Sequence, residues 1–565
     1  MRLVFGIAAA ALLSSFAPAA PAPGYDTILR GGTIVDGSGG APYVGDIAIR
    51  GDRIAAVAPH VAGRGATEID ARGLAVAPGF VNMLSWADEA LIVDARSESD
   101  IRQGVTLEVM GEGTSFGPWN AEMKAKERAR QGDIKYPIQW TSLGDYLGFL
   151  ERKGVATNVA SFVGATTVRV HELGEGDVQP TPPQLDRMRA LVREAMDEGA
   201  MGVGSSLIYA PASFAKTPEL IALVAEAGKC GGMYISHIRD EGPKLIEAID
   251  ELVRIAADAH APAEIYHYKQ SGRDNWGKLA AATARVEAAR ARGLRITADM
   301  YTYAASSTGL DAAMPTWVQA GGVEKWVERL RDPAIRARVL AEMRAPDAGE
   351  NTKIVVQEPE KVLLLGFKTE RLKALTGQTL AAAARARGKT PEETAMDLVV
   401  EDGSRIQVAY FSMDEANVRR EVALPWMSFG SDASSQAPEG VFLKSSTHPR
   451  AYGNFARLLG KYVREEKALT LQEAVRRLAA LPAANLGIRD RGTLAPGKLA
   501  DVVVFDPATI RDTATFEKPQ SYAIGMRHVF VNGVQVLKDG AHTGATPGRF
   551  VHGPGWNRCP APPRR

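Results

Sequence analysis

The sequence predicts an α/β protein. Its centre is a parallel (β/α)8 barrel, joined to a small β-sandwich built from both ends of the chain and interrupted by an insertion between the last two barrel strands. Three observations predict this. Between residues 73 and 487, short apolar runs of strand length alternate with helical patterns, with strand ends near Val81, Met110, Val163, Ser205, His237, His267, Met300 and Ser431. Eight is the number that a closed β/α barrel needs. Turn-punctuated strand patterns fill residues 25–77 and return at 499–506 and 528–537, so the two ends pair around the middle. The gap at 312–425 is far longer than one strand-to-strand crossover.

The predicted organisation is an export signal over 1–22, a β-sandwich over 24–77 plus 490–545, a barrel over 78–489 carrying the 312–425 insertion, and a tail over 546–565. The signal is read from Met1-Arg2, an apolar run over 5–16 and the small-residue sites Ala17-Pro-Ala19 and Ala20-Pro-Ala22. That run is too short to span a bilayer well, and no cysteine follows it to carry a lipid. A periplasmic or secreted protein with no membrane span is expected. The Thr27-Ile-Leu-Arg30, Thr33-Ile-Val-Asp36, Asp46-Ile-Ala-Ile-Arg50 and Arg53-Ile-Ala-Ala-Val57 segments read as short strands, divided at Gly31-Gly32, Gly37-Ser-Gly-Gly40 and Gly51-Asp52. In the barrel, residues 183–199 put Leu185, Met188, Leu191, Val192 and Met196 on one helical face, and 218–228 and 244–259 behave similarly. The insertion holds helices over 324–331 and 333–343 and a strand over 353–356.

Composition removes several function classes. The chain has 67 Lys+Arg against 66 Asp+Glu, a net charge of +1. No global field draws it to nucleic acid or an anionic membrane, and no basic run or nucleic-acid module is present. Its two cysteines, Cys230 and Cys559, cannot form a disulfide framework. They can pair in an oxidising compartment, but Cys230 reads first as a buried small hydrophobe at the end of a helical pattern.

The chemistry gathers at strand ends. Gly231-Gly-Met-Tyr-Ile-Ser-His237 and Ala263-Glu-Ile-Tyr-His267 each end in a histidine, and Met427-Ser-Phe-Gly-Ser-Asp432 ends in an aspartate. Parallel barrel strands all point to one face, so these three side chains surround one mouth. Two imidazoles and a carboxylate there point to a metal site. Asp432 is the candidate general base, with a helix N-cap as its bland alternative, since Ala-Ser-Ser follows. His60, His171, His260, His528, His542 and His552 fall outside the strands or on helices and receive no role.

Pro78-Gly-Phe80, Gly104-Val-Thr106, Ser205-Ser-Leu-Ile-Tyr-Ala-Pro211, Ser236-His-Ile-Arg239, Tyr301-Thr-Tyr303, Ser306-Ser-Thr-Gly309, Gly430-Ser-Asp432, His448-Pro-Arg450-Ala-Tyr-Gly453 and Gly544-Ala-Thr-Pro-Gly-Arg549 occur in one order along the chain. On these segments the chain resembles the amidohydrolase superfamily, and within it the N-acyl-D-amino-acid deacylases (D-aminoacylases). Two departures fall on the chemistry. Leu84 and Trp86 stand where the superfamily usually has a His-x-His pair, so that metal position should be empty. The strand-two turn is Gly111-Glu112-Gly113, with Glu112 one residue from where the relatives use a cysteine ligand. Glu112, His237 and His267 then make the expected ligand set, with one Zn²⁺ per chain; Glu112 as a turn-capping carboxylate is the alternative. The resemblance further implies Lys269, Tyr301, Ser307 and Arg450 around the substrate carboxylate and Tyr209 near the scissile carbonyl. Lys269 and Arg450 read otherwise as surface charges, Tyr303 is as well placed for packing as for contact, and His448 is either a supporting residue or a loop residue.

The implied activity is hydrolysis of the amide of small N-acyl-D-amino acids, with Asp432 taking a proton from the attacking water and returning it to the departing amine. The preference for D substrates comes from the resemblance alone. An amidase or peptidase of other specificity on the same scaffold, acting on short D-residue peptides or cyclic amides, and a non-catalytic degenerate barrel remain alternatives.

Overall fold

A computed structural model of the chain describes residues 24–559; the expected export signal lies outside them. Eight parallel strands form the barrel, in order Phe80–Asn82, Val105–Met110, Asn158–Ser161, Gly202–Ser206, Met233–His237, Ala263–Ile265, Ile296–Met300 and Met427–Phe429. Every residue of these strands is buried, which is why they read as continuous apolar runs rather than alternating ones. The third strand continues past Phe162 into Val163–Gly164, which pairs with the fourth. The first and last strands meet through Met83 N–H to Phe429 O (3.2 Å), Asp432 N–H to Leu84 O (2.8 Å) and a parallel bridge at Ser85 and Ala433. These bonds link the strands into a ring.

Amphipathic helices cover the outside. Pro182–Asp197 starts with a Thr181/Gln184 capping box and a proline in its first turn, and buries Met188, Val192, Ala195 and Met196. Thr217–Lys229 and Leu245–Ala259 follow the next two strands. Fully burying one such aliphatic side chain stabilises by about 1.5–3 kcal/mol, so each helix is held mainly by its inner face.

Both ends of the chain join one nine-stranded sheet in which Val502–Phe505 pairs with Ala75–Pro78. Here the reading of Gly31-Gly32 as a turn is corrected. Tyr25–Ile34 is one strand, and the two glycines form a bulge at which the register jumps between Leu29 and Gly32. Gly31 takes φ +67°, a conformation cheap only for glycine, and its N–H donates to Asp46 Oδ1 at 2.8 Å. Asn532-Gly533, both at positive φ, makes a tight turn between Met526–Val531 and Val534–Lys538.

The insertion has its own core, around Leu310, Trp326, Leu330, Val355, Leu364, Met396 and Val408. Helices Val323–Leu330 and Pro333–Met343 form where expected. The strand expected at 353–356 does not: those residues lie within helix Glu350–Gln357, and a strand forms instead at Val362–Gly366. The β-branched Ile354-Val355-Val356 run favours strand locally, but as a helix it turns Ile354 and Val355 into the insertion core, and that burial outweighs propensity. Ser306–Gly309, immediately after the seventh barrel strand, pairs with Gln407–Tyr410 and so ties the insertion's sheet to the mouth.

The cysteines also differ from their first reading. Cys230 is joined to Cys559 by a disulfide, and this fastens the end of the chain to the barrel. Residues 548–557 run along the barrel beside it, bonded through Gly548 to Val155, Val551 to Val159, Gly553 to Gly199 and Asn557 to Asp197. Among the described residues no helix is long and apolar enough to cross a membrane.

Candidate metal centre

Glu112 follows the second strand, His237 ends the fifth, and His267 and Asp432 stand just beyond the sixth and eighth. His267 and Asp432 adopt positive φ, +36° and +49°. For residues other than glycine this costs about 1–3 kcal/mol each, and such strain concentrates where a side chain must be aimed. No helix starts at Asp432, so it is not an N-cap.

Three donor atoms converge. Glu112 Oε1 lies 3.2 Å from His237 Nδ1 and 3.1 Å from His267 Nε2, and the two imidazole centroids are 4.4 Å apart at an interplanar angle of 83°. All three residues are buried, and one ligand atom from each lies within 4.8 Å of the others. Ligands held about 2.0–2.1 Å from a tetrahedral zinc lie roughly 3.3 Å apart, so the spacing fits such an ion. Glu112 therefore faces the histidines rather than capping its own turn.

The surroundings prepare these donors. Glu241 Oε1 is 3.1 Å from His267 Nδ1, and Oε2 is 3.6 Å from His237 Nε2. Glu241 Oε1 is placed to accept a proton from His267 Nδ1, which turns His267 Nε2 toward Glu112, whereas His237 Nε2 has no hydrogen-bond partner. Lys269 Nζ donates to the same Glu241 oxygen at 2.6 Å and lies 2.7 Å from His267 Nδ1. Burial opposes charge on both Glu112 and Glu241, yet the neighbouring cations hold both carboxyls well below the ordinary range. Burial and Lys269 lower the His267 pKa, but Glu241 and Glu112 outweigh them and raise it to about 10. Glu241 was missed in the sequence; its signal was the carboxylate four residues after His237 in Ser236-His-Ile-Arg-Asp-Glu241.

Asp432 faces this centre with both oxygens engaged. Oδ2 forms an ion pair with Arg450 Nη2 at 2.9 Å, and Oδ1 accepts from the Trp86 indole N–H at 3.1 Å. Burial pushes the Asp432 carboxyl up, and Arg450 opposes that shift. The same indole N–H lies 3.1 Å from Glu112 Oε2. Trp86, read in the sequence only as a residue that cannot ligate, thus touches both Glu112 and Asp432.

The remaining candidates line one cavity of about 740 Å³ with this centre. Arg450 is buried, not a surface charge, and its Nε and Nη1 have no protein partner. Its guanidinium sits 4.4 Å over the Tyr301 ring. Lys269 is also buried, with part of its hydrogen-bonding capacity spent on Glu241. Tyr209 O–H meets Thr308 Oγ1 at 2.8 Å, and its ring lies edge-on to His237. Ser307 Oγ donates to Val408 O at 2.9 Å. His448 is a supporting residue: Nε2 meets Ala305 O at 3.0 Å, and Nδ1 accepts from the Arg450 backbone N–H at 3.0 Å. Tyr303 points away and donates to Asp512 Oδ2 at 2.9 Å, so it packs rather than lines the cavity.

A parallel barrel presenting a buried His/His/Glu cluster and an opposed aspartate at its strand ends belongs to the class of metal-site β/α barrels. Residues 67–537 match the Amidohydrolase family. A D-aminoacylase from Alcaligenes xylosoxydans xylosoxydans is 33% identical over 528 residues, covering 93% of this chain and 97% of that protein. The structure of N-acyl-D-glutamate deacylase from Bordetella bronchiseptica, in complex with zinc and a phosphonate mimic of the tetrahedral intermediate, superposes with a TM-score of 0.78 at 28% identity, covering 94% and 99% of the two chains. A D-aminoacylase structure addressing one-metal activation and second-metal attenuation in a binuclear centre gives 0.77 at 30% identity, covering 94% and 100%. The chain belongs to the amidohydrolase family, in its D-aminoacylase branch.

Proposed function

We propose that this protein is a zinc-dependent deacylase that hydrolyses the amide of N-acyl-D-amino acids to a carboxylate and a D-amino acid. The observation that carries this reading is the convergence of Glu112, His237 and His267 opposite Asp432 in one cavity, alongside buried guanidinium N–H groups of Arg450 that lack a partner. A bound zinc supplies a Lewis acid that polarises the amide carbonyl and lowers the pKa of water to about 7. Asp432 takes the proton of the attacking water and delivers it to the departing nitrogen. The open vertices of Arg450 suit a planar carboxylate, which the amino-acid half of the substrate carries. Tyr301, beneath that guanidinium, and Ser307 complete this end, while Lys269 acts mainly by fixing Glu241 behind the histidines. Tyr209, beside His237, lies at the end where the acyl carbonyl would sit. The relatives' D specificity supports the same choice here. Export to an oxidising compartment belongs to the same proposal, supported by the N-terminal pattern and by the disulfide between Cys230 and Cys559.

The test is zinc analysis of the purified protein together with hydrolysis of paired N-acetyl-D- and N-acetyl-L-amino acids. Zinc bound with turnover confined to the D series is expected. A zinc-bearing protein that hydrolyses none of the panel would end this reading.

A further inference from the structure

Trp86 occupies a position at which an unrelated side chain would leave two carboxylates facing one another. Glu112 spends Oε1 on the two histidines and turns Oε2 away from them, to the indole N–H at 3.1 Å. Asp432 spends Oδ2 on Arg450 and turns Oδ1 to the same N–H, also at 3.1 Å. One donor is therefore shared between the free oxygens of two carboxylates. Paired carboxylates repel unless something positive stands between them. In this molecule that something is the positive edge of an indole.

The backbone that carries the indole is fixed by the barrel. The Trp86 backbone N–H donates to Ala433 O at 3.0 Å, next to the Ser85–Ala433 bridge that joins the first strand to the last, while Trp86 itself is 38% exposed at the cavity mouth. Leu84, two residues earlier in the segment that follows the first strand, is fully buried and offers no donor atom. The segment after the first strand that could have supplied imidazoles to a second ion supplies a hydrocarbon side chain and an N–H instead.

We infer that Trp86 is a positioning residue that replaces a second cation: its indole N–H holds Glu112 and Asp432 in their working orientations, and its ring bars another ion from the space between them, so the centre takes one metal. This rests on the metal-dependent reading above. It assigns Trp86 to orienting the charge-bearing groups rather than to binding substrate. Hydrogen bonds to charged groups are among the stronger ones, so loss of this shared donor should lower kcat by roughly ten-fold or more while KM changes little.

Three proteins test it: the unaltered chain, Trp86→Phe, and the double variant Leu84→His/Trp86→His. Each is equilibrated with excess zinc, freed of loose metal and measured for zinc per chain, with circular dichroism to confirm folding. One zinc is expected for the unaltered chain and for Trp86→Phe, and more than one for the double variant. Trp86→Phe should also show the kcat loss at nearly constant KM. Two zinc ions in the unaltered chain, a Trp86→Phe enzyme with unchanged kcat, or a folded double variant still holding one zinc would each overturn the inference. If the double variant does not fold, the first two results still decide. Failure of the parent reading looks different: the unaltered chain would hold no zinc, or would hold one and hydrolyse no N-acyl amino acid.

Discussion

Glu112 is buried and Asp432 half-buried at the strand ends, and the two carboxylates have different partners. Glu112 faces two imidazoles, whereas Asp432 faces an arginine and an indole. Glu112→Gln keeps the shape and removes the charge that balances a divalent ion, so zinc content and turnover should fall together. Asp432→Asn keeps the three donors and removes the proton carrier; zinc should remain while kcat drops about 10²–10⁴-fold. Elemental analysis paired with kcat separates these outcomes, and Glu112→Gln with full zinc and near-normal kcat would reduce Glu112 to a turn residue. A different buried acid couples stability to pH. Glu350 opens helix Glu350–Gln357, and burial, with Asp240 and Glu241 nearby, raises its pKa from 4.5 to about 8. Below pH 4.5 folded and unfolded forms both hold the proton, so the group contributes no pH dependence. Between pH 4.5 and about 8 only the unfolded form ionises, and stability falls as pH rises. Glu350→Gln should therefore gain on the unaltered protein steadily across that window, read as the difference in Tm; a constant offset would show that Glu350 does not titrate in this way.

Elements decide which of these residues meet. The insertion is more than an appendage, because strand Ser306–Gly309 carries Ser307 to the mouth and is held there by Gln407–Tyr410. Helix Arg450–Arg457 begins beside His448, whose two ring nitrogens bind backbone on both sides and set where Arg450 enters the cavity. His448→Ala should thus raise KM more than it lowers kcat, since it disturbs the guanidinium and leaves the donor cluster in place. At the other end of the fold, the disulfide closes a 329-residue separation and secures the terminal strap. Cys230→Ser should lower thermal stability by an amount on the order of 2–4 kcal/mol. A reductant should weaken the unaltered protein and leave the variant unchanged, as thermal denaturation with and without reductant will show.

At the scale of the whole molecule, a ring of parallel strands points its ends toward one cavity, helices cover the ring, and segments from before and after the barrel pair in one sheet beside it. A chain closed by a disulfide and preceded by an apolar N-terminal run fits export. The mature N-terminus in the native host is expected between about residues 18 and 26, by N-terminal sequencing; intact Met1 on the soluble cytoplasmic protein would contradict it.

The barrel is legible along the chain, because buried parallel strands leave uninterrupted apolar runs and their crossover helices leave a 3.6-residue period. So is the shared mouth of His237, His267 and Asp432, since strand direction alone puts them there. The local pattern misplaced what depends on partners. Ile354-Val355-Val356 reads as strand until the insertion core claims it as helix, and Gly31-Gly32 reads as a turn until the neighbouring strand shows it to be a bulge. The folded chain alone shows that Cys230 meets Cys559, that Glu241 stands behind both imidazoles, that Lys269 is tied to it, and that one indole N–H serves two carboxylates. Each of these joins residues from separate strands or loops. Such distances are set by barrel closure and packing, for which a linear sequence carries no period.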